Sequence, residues 1–304
     1  MKYYNNIIDT VGKTPLIRIN NNESPASIYG KAEFFNPAGS IKDRVALAMI
    51  NDAENKGLLK KGGVIIESTS GNTGIGLAAI GKVKGYRVVL TMPESMSEER
   101  KSILRAYGAD LILTSAKEGM NGALEKAKEL EREIPGSIIA GQFTNKVCVD
   151  IHYRTTGPEI YETLEGKVDA VVVGIGTGGT ISGVGKYLKE KNSSIKVIAV
   201  EPYNSPLLSQ GKCGPHGIQG IGANFVPEIL DRSIYDEIML VKEEDAYFHG
   251  RKVAEEDGLF VGISSGAAVW AAKELAKREE YNKKNIVAIL PDTGMRYLST
   301  KMFK

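Results

Sequence analysis

The sequence predicts an α/β fold of open, twisted, largely parallel sheets, and three observations predict it. Short β-branched runs recur at 64–66, 87–90, 111–113, 138–140, 170–173, 197–200 and 287–290. Apart from Arg87 they are apolar rather than alternating, as expected of strands buried on both faces of a parallel sheet. Stretches of helical period separate them, at about 43–56, 74–84, 97–107, 119–133, 178–191, 243–256 and 266–281, so the chain reads as repeated βα units. Glycine-rich turns also follow the strands, where open α/β sheets bind their ligands.

At 304 residues the chain exceeds the size at which one core usually keeps growing, so two domains are expected. The polar stretch 142–154 separates two sets of βα units and sets a boundary near 147. A hydrophobic fraction of 42% and a net charge of +2 spread over mixed-sign residues point to an ordinary globular protein without a nucleic-acid stripe. No apolar stretch approaches the roughly 18 residues of a membrane span. The first residues show no apolar signal region, so a cytoplasmic protein is expected. Cys148 and Cys213 are too few for a disulfide framework and are read as free thiols. Cys148 with His152, and Cys213 with His216, have metal-ligand spacing, but a zinc site needs about four ligands and no metal is expected.

Three turns carry the chemistry. The first, Asn36-Pro37-Ala38-Gly39-Ser40-Ile41-Lys42-Asp43-Arg44, puts Lys42 at or near a helix start. The positive end of the helix dipole and burial both disfavour an ammonium there, as suits a lysine that must lose its proton to react with an aldehyde. A surface lysine offset by Asp43 is the plainer alternative. The second turn runs from Glu67 to Gly76 and includes Thr69, Ser70, Asn72 and Thr73. One hydroxyl would cap a helix; several, with exposed amides, make a site for a carboxylate or phosphate.

The third turn, Gly174-Ile175-Gly176-Thr177-Gly178-Gly179-Thr180, satisfies G-x-G-x-x-G, and Glu201 follows the next strand. A dinucleotide-binding oxidoreductase is therefore a competing reading. Thr177 and Thr180 suit a compact monophosphate better, and the hydride reading gives Lys42 and the second turn no role. A P-loop reading fails because Ile7 stands where Gly12-Lys13-Thr14 would require glycine.

Together, in this order, the turns resemble the cysteine synthase (O-acetylserine sulfhydrylase) family of fold-type II pyridoxal phosphate enzymes, which are tryptophan synthase β-like. The likeness extends to Gly12-Lys13-Thr14-Pro15-Leu16, Met92-Pro93, Gln142-Phe143, the run 155–160, the run 217–222, Gly262-Ile263-Ser264-Ser265-Gly266 and the run 296–300. The resemblance implies two α/β domains with the active site in the cleft between them. A smaller, mobile one would comprise 1–11 and 36–147, carrying Lys42 and the substrate carboxylate loop. A larger one would comprise 12–35 and 148–304, carrying the phosphate turn.

It further implies pyridoxal 5'-phosphate joined to Lys42, with its phosphate held by Gly176, Thr177, Gly178, Gly179 and Thr180. Asn72 would bond the ring's 3' oxygen and Ser264 its nitrogen. Thr69, Ser70, Asn72, Thr73 and Gln142 would hold the substrate carboxylate. The activity implied is β-replacement, O-acetyl-L-serine and sulfide giving L-cysteine and acetate through an aminoacrylate, with Lys42 as base. A homodimer, and contact with the C-terminus of a serine acetyltransferase, are implied partners.

Three departures leave the substrate open. Asn224 replaces a common glycine and could contact a second amino acid; 146–150 replaces a proline- and asparagine-rich segment; and Asp292, in Pro291-Asp292-Thr293-Gly294, lies in a segment that more often contains serine. The alternatives are an enzyme that takes L-cysteine as β-donor, releasing hydrogen sulfide and forming lanthionine, serine or cystathionine, and a catalytically silent scaffold that binds a partner peptide.

Overall fold

The computed structural model describes residues 3–304. In chain order the strands are β1 (Leu16–Ile19), β2 (Ser27–Ala32), β3 (Val64–Ser68), β4 (Arg87–Pro93), β5 (Asp110–Thr114), β6 (Ser137–Ile139), β7 (Ala170–Gly174), β8 (Lys196–Pro202), β9 (Glu237–Val241) and β10 (Asn285–Leu290). The helices are α1 (Lys42–Asn55), α2 (Asn72–Val83), α3 (Glu98–Ala106), α4 (Gly119–Glu133), α5 (Val147–Ile151), α6 (Gly157–Thr163), α7 (Gly179–Lys191), α8 (Leu207–Gln210), α9 (Glu243–Asp257) and α10 (Ile263–Ala276). No helix among the described residues is long and apolar enough to cross a membrane.

Two compact units divide the chain: residues up to Val11 with Asn36–Val147, and Gly12–Phe35 with Cys148–Lys304. The first is built on a four-stranded parallel sheet ordered β5-β4-β3-β6. Its central strands, Val64–Ser68 and Arg87–Pro93, are buried nearly throughout, which explains why they read as continuous apolar runs. Ile66, Val89 and Ala127 form a small core where α4 covers this sheet, and α1 lies against α2.

The second unit has a six-stranded sheet ordered β1-β2-β10-β7-β8-β9, parallel except for the β1–β2 pair. Its core is larger, with α10 packed on β10 and β7 and α9 packed on α10. The two helices approach so closely that a Cβ added at Gly266 would lie 2.1 Å from the Ala246 carbonyl oxygen and 2.8 Å from the Gly250 amide.

Strands β1, β2 and β9 are absent from the sequence expectation. In β2, Lys31 interrupts the apolar pattern, yet it is fully buried, its Nζ donating to Glu159 Oε2 (2.6 Å) and to the Thr14 carbonyl (2.5 Å). Strand β9 is an edge strand with mixed burial, Glu237 at its start pairing with Arg278. The stretch expected to be irregular, 142–154, becomes helical from Val147. Asn145 Oδ1 accepts the Val147 N–H (3.1 Å), and the helix widens to a π turn over His152–Thr156 before α6.

The glycine crossing of α9 and α10 has a measurable consequence. Gly266→Ala should cost about 1–3 kcal/mol, since the atoms it would strike are backbone and cannot swing aside. The urea midpoint of the purified protein reads this; an unchanged midpoint would show that the two helices separate freely.

Candidate functional site

Each unit places candidate site residues at the start of helices. In the first unit, Lys42 opens α1, half-buried, with no side-chain cap from Ile41. The turn before it is folded by Asp43, whose Oδ2 accepts the Ala38 N–H (2.6 Å), and by the Gly39 N–H bond to Asn36 O (2.8 Å). Asp43 thus shapes the turn, a structural role the surface-lysine alternative did not give it. Helix α2 reaches α1 at this point: a Cβ at Gly76 would sit 3.1 Å from the Lys42 carbonyl oxygen and from Ala46 Cβ.

Strand β3 ends at Ser68, and Thr69, Ser70 and Gly71 lead into α2, which starts at Asn72. Thr69 Oγ1 accepts the Gly71 N–H (3.2 Å), and the Ser70 hydroxyl points at Met96 Sδ (2.9 Å). Thr73, buried in the first turn of α2, donates to Gln142 Oε1 (2.6 Å). Lys42, 69–73 and Gln142 are therefore linked through packing and hydrogen bonds inside one unit.

Behind them lies Glu67, which the sequence reading passed over as the end of an apolar strand. Its Oε2 accepts the Gly141 N–H (2.7 Å), and Gln142 donates from both backbone and side chain. Burial pushes this carboxyl up to about 7, and the hydrogen bonds from Gly141 and Gln142 offset only part of that rise.

In the second unit, β7 ends at Gly174 and α7 starts at Gly179, with Gly178 at φ +85° as its uncapped N-cap. A Cβ at Gly176 would meet the Gly220 carbonyl oxygen at 2.4 Å, and one at Gly179 the Cys148 carbonyl oxygen at 2.9 Å. Side chains are thus excluded at positions 176 and 179. What the turn presents is backbone N–H groups that have no partner within the helix, with Thr177 and Thr180 beside them. Gly220 joins this turn to Ser264 in the first turn of α10, its Cβ position lying 3.3 Å from Ser264 Oγ.

Within the second unit the donor set fits a monoester phosphate at 176–180 and a heteroaromatic ring with a hydroxyl neighbour at Ser264; within the first, Lys42 offers an amine that an aldehyde could engage, and each set suits one part of pyridoxal phosphate. The dinucleotide alternative loses its acid. Glu201 accepts the backbone N–H groups of Leu208 and Ser209 (3.0 Å each) and the Ser209 hydroxyl, so it serves α8.

His152, read from spacing as half of a metal pair with Cys148, is buried and shares hydrogen bonds with Thr156 Oγ1 (2.9 Å) and Thr180 Oγ1 (3.3 Å). It braces the turn, a role that only the folded chain reveals. His216 meets the Gly222 carbonyl (3.0 Å), and no metal-binding cluster of three or more such residues occurs among the described residues. Asn224 sits in the left-handed region (φ +61°) with its Oδ1 accepting from Ser205 (2.7 Å), near Gly176 in a small pocket. Asp292 is buried and accepts from the Tyr297 hydroxyl (2.6 Å).

Residues 7–292 match the family described as pyridoxal-phosphate dependent enzyme. The chain belongs to this family. Within it, the chain is 49% identical to a cysteine synthase of Staphylococcus aureus over 305 aligned positions, covering 99% of this chain and 98% of that protein. The crystal structure of a cysteine synthase from Entamoeba histolytica superposes with a TM-score of 0.96 at 46% identity, over 99% of this chain and 91% of that one. A hydrogen sulfide-producing enzyme of Fusobacterium nucleatum gives 0.93 at 45%, over 97% and 100%. The protein is a pyridoxal phosphate-dependent enzyme of the cysteine synthase type, in the fold-type II class.

Glu67 makes stability pH-dependent in a defined direction. Its carboxyl is raised from 4.5 to about 7 in the folded state, so between those values the folded chain keeps a proton that the unfolded chain releases. Stability from this group is full below about 4.5 and falls by up to about 1.4 kcal/mol per pH unit as pH rises towards 7. The thermal midpoint should therefore drop less between pH 5 and pH 7.5 in Glu67→Gln than in the unmodified protein. Parallel curves would assign the decline to other groups.

Proposed function

We propose that this enzyme makes L-cysteine and acetate from O-acetyl-L-serine and sulfide. The observation that carries the reading is the uncapped, glycine-walled turn at 176–180 of the second unit, and the lysine at the start of α1 in the first unit supports it. Likeness to cysteine synthases over the full chain supports it.

In this reading Lys42 holds the cofactor by its amine, and Gly176, Thr177, Gly178, Gly179 and Thr180 bind the phosphate. Asn72 would hydrogen-bond the ring oxygen and Ser264 the ring nitrogen. Pyridoxal phosphate supplies an aldehyde that captures the substrate amine and a conjugated ring that withdraws electrons. Thr69, Ser70, Asn72, Thr73 and Gln142 orient the substrate through its carboxylate. That leaves the β-substituent as the variable part. The Lys42 amine would take the α-proton as acetate leaves the β-carbon, and would return a proton after sulfide adds. Ser264 contributes a hydroxyl where a carboxylate would hold a ring proton in place, and this favours β-elimination over transamination. The smaller unit would move as substrate binds.

The same fold with L-cysteine as β-donor is the second reading, favoured by the likeness to a hydrogen sulfide-producing enzyme. Asn224 would then contact the second amino acid or thiol. We also infer a cytoplasmic homodimer, and a serine acetyltransferase C-terminus as its protein partner, from the same family likeness.

Lys42→Ala should lower turnover by at least about a thousandfold, the upper range for loss of a general base that also anchors a cofactor. Borohydride reduction and peptide mapping of the unmodified enzyme should tag Lys42 alone. A tag elsewhere would remove the reading. Feeding the enzyme L-cysteine alone while measuring sulfide, beside O-acetylserine plus sulfide while measuring cysteine, decides between the two donors. Faster sulfide release from cysteine would establish the second.

A further inference from the structure

We propose that Glu67 is a positioning residue for the substrate carboxylate, setting which way the Gln142 side-chain amide faces. The inference deepens the reading above and rests on its assignment of Gln142 to the carboxylate loop.

Glu67 is the last residue but one of β3, paired in register with Leu90 on one side of the sheet's interior. Its neighbour β6 ends at Ile139, and the chain then turns tightly, with the Thr144 and Asn145 N–H groups both bonding to Gly141 O (3.1 and 2.8 Å). The Glu67 carboxylate lies under the start of this turn. It accepts the Gly141 N–H at 2.7 Å, and the Gln142 backbone and side chain donate to it as well.

A carboxylate offers acceptors only, whereas a primary amide has one acceptor oxygen and two N–H hydrogens. Gln142 must therefore turn Nε2 towards Glu67, which aims Oε1 the other way. There it receives the Thr73 hydroxyl at 2.6 Å. One Nε2 hydrogen is held on Glu67, and the second is the donor we assign to the substrate carboxylate. Glu67 and Gln142 are 4% and 7% exposed, so water competes little for these bonds. In such surroundings a buried donor facing the wrong partner costs about 1–3 kcal/mol, enough to hold one amide orientation.

Glutamine at 67 would nearly preserve the shape and reverse this logic. Its single oxygen cannot serve all three donors, and its own N–H groups would attract Gln142 Oε1. Gln142 would then flip, offering Thr73 an N–H and withdrawing its donor from the substrate.

The experiment compares Glu67→Gln, Glu67→Asp and Gln142→Ala holoenzymes at pH 8. Steady-state kinetics are read for O-acetylserine and for sulfide, calorimetry gives the affinity for L-alanine, which has the carboxylate but no leaving group, and the thermal midpoint monitors folding. Glu67→Gln should raise KM for O-acetylserine about tenfold, the equivalent of about 1.4 kcal/mol, and weaken L-alanine binding by a similar factor. Its kcat should stay within about threefold, its KM for sulfide should not change, and its midpoint should not fall.

Glu67→Asp, which keeps the charge but withdraws it by one methylene, should show the same KM rise and stands in should the glutamine variant fail to fold. Normal KM and L-alanine affinity in both Glu67 variants, with KM raised in Gln142→Ala, would overturn the role of Glu67 and leave the carboxylate loop standing. A normal KM in Gln142→Ala would overturn the loop assignment, and the positioning role with it.

Discussion

A helix that starts immediately after a parallel strand leaves its first N–H groups without partners inside the helix, and it aims them at the carboxyl edge of the sheet. Both units of this enzyme are organised around that condition. In one, β3 leads through Thr69-Ser70-Gly71 into α2; in the other, β7 leads through 175–178 into α7. A sheet edge of this kind attracts anions wherever side chains do not cover it. The glycines of the 176–180 turn keep it uncovered for a steric reason, since neighbouring carbonyls of Gly220 and Cys148 occupy the space a Cβ would need. The hydroxyls of the other turn add side-chain donors suited to a carboxylate.

Stiffness behind those turns comes from buried polar groups. His152 braces Thr180 from a π turn, and Glu67 gathers the turn that follows β6. A third such group organises the larger unit at a distance from the turns. Lys31, fully buried on β2, meets Glu159 and the Thr14 carbonyl, while Glu159 also accepts the Lys13 N–H (3.0 Å) and Glu33 accepts the Thr14 hydroxyl (2.5 Å). Together with the pairing of β2 and β10, this network fastens the segment 12–35 to the unit formed mostly by the C-terminal half. Removing one member of a buried ion pair leaves the other uncompensated, typically at about 3–5 kcal/mol. The network therefore acts as a constraint on chain path more than as a net source of stability.

What the sequence disclosed and what it hid divide along the range of the interactions. Strands β3, β4, β7, β8 and β10 are buried on both faces, so their apolar runs were readable without knowledge of partners. Strand β2 was hidden because a lysine next to its end looks like surface until Glu159 is brought to it. Helix α10 starts at Ile263 rather than at 266 because Gly262-Ile263-Ser264-Ser265 looks like loop composition, yet it forms the buried opening of the helix. Lys42 and the glycine turn were legible for a related reason: each is a contiguous motif whose local chemistry is unusual for a surface. Glu67 and His152 were not, because a single Glu after Val64-Ile65-Ile66, or a His four residues from Cys148, acquires a role only through residues far along the chain.

The same distinction bears on substrate choice. In the proposed assignment the carboxylate loop and the phosphate turn would contact parts common to any α-amino acid bound to this cofactor, so neither would discriminate among β-substituents. Discrimination falls to segments outside them, of which Asn224 is the clearest departure from the family pattern. Its backbone is left-handed, a conformation that glycine adopts freely and asparagine tolerates better than most residues. Its side chain accepts a hydrogen bond from Ser205, whose oxygen in turn accepts the Gly214 N–H (3.3 Å), so the amide links 205, 214 and 224. A polar residue that replaces glycine while retaining the glycine-like backbone, and that finds a partner within its own unit, is accounted for by that local tie. The departure from glycine therefore gives less support to a second amino acid in the site than its polarity alone suggests, and the balance stays with sulfide as the nucleophile.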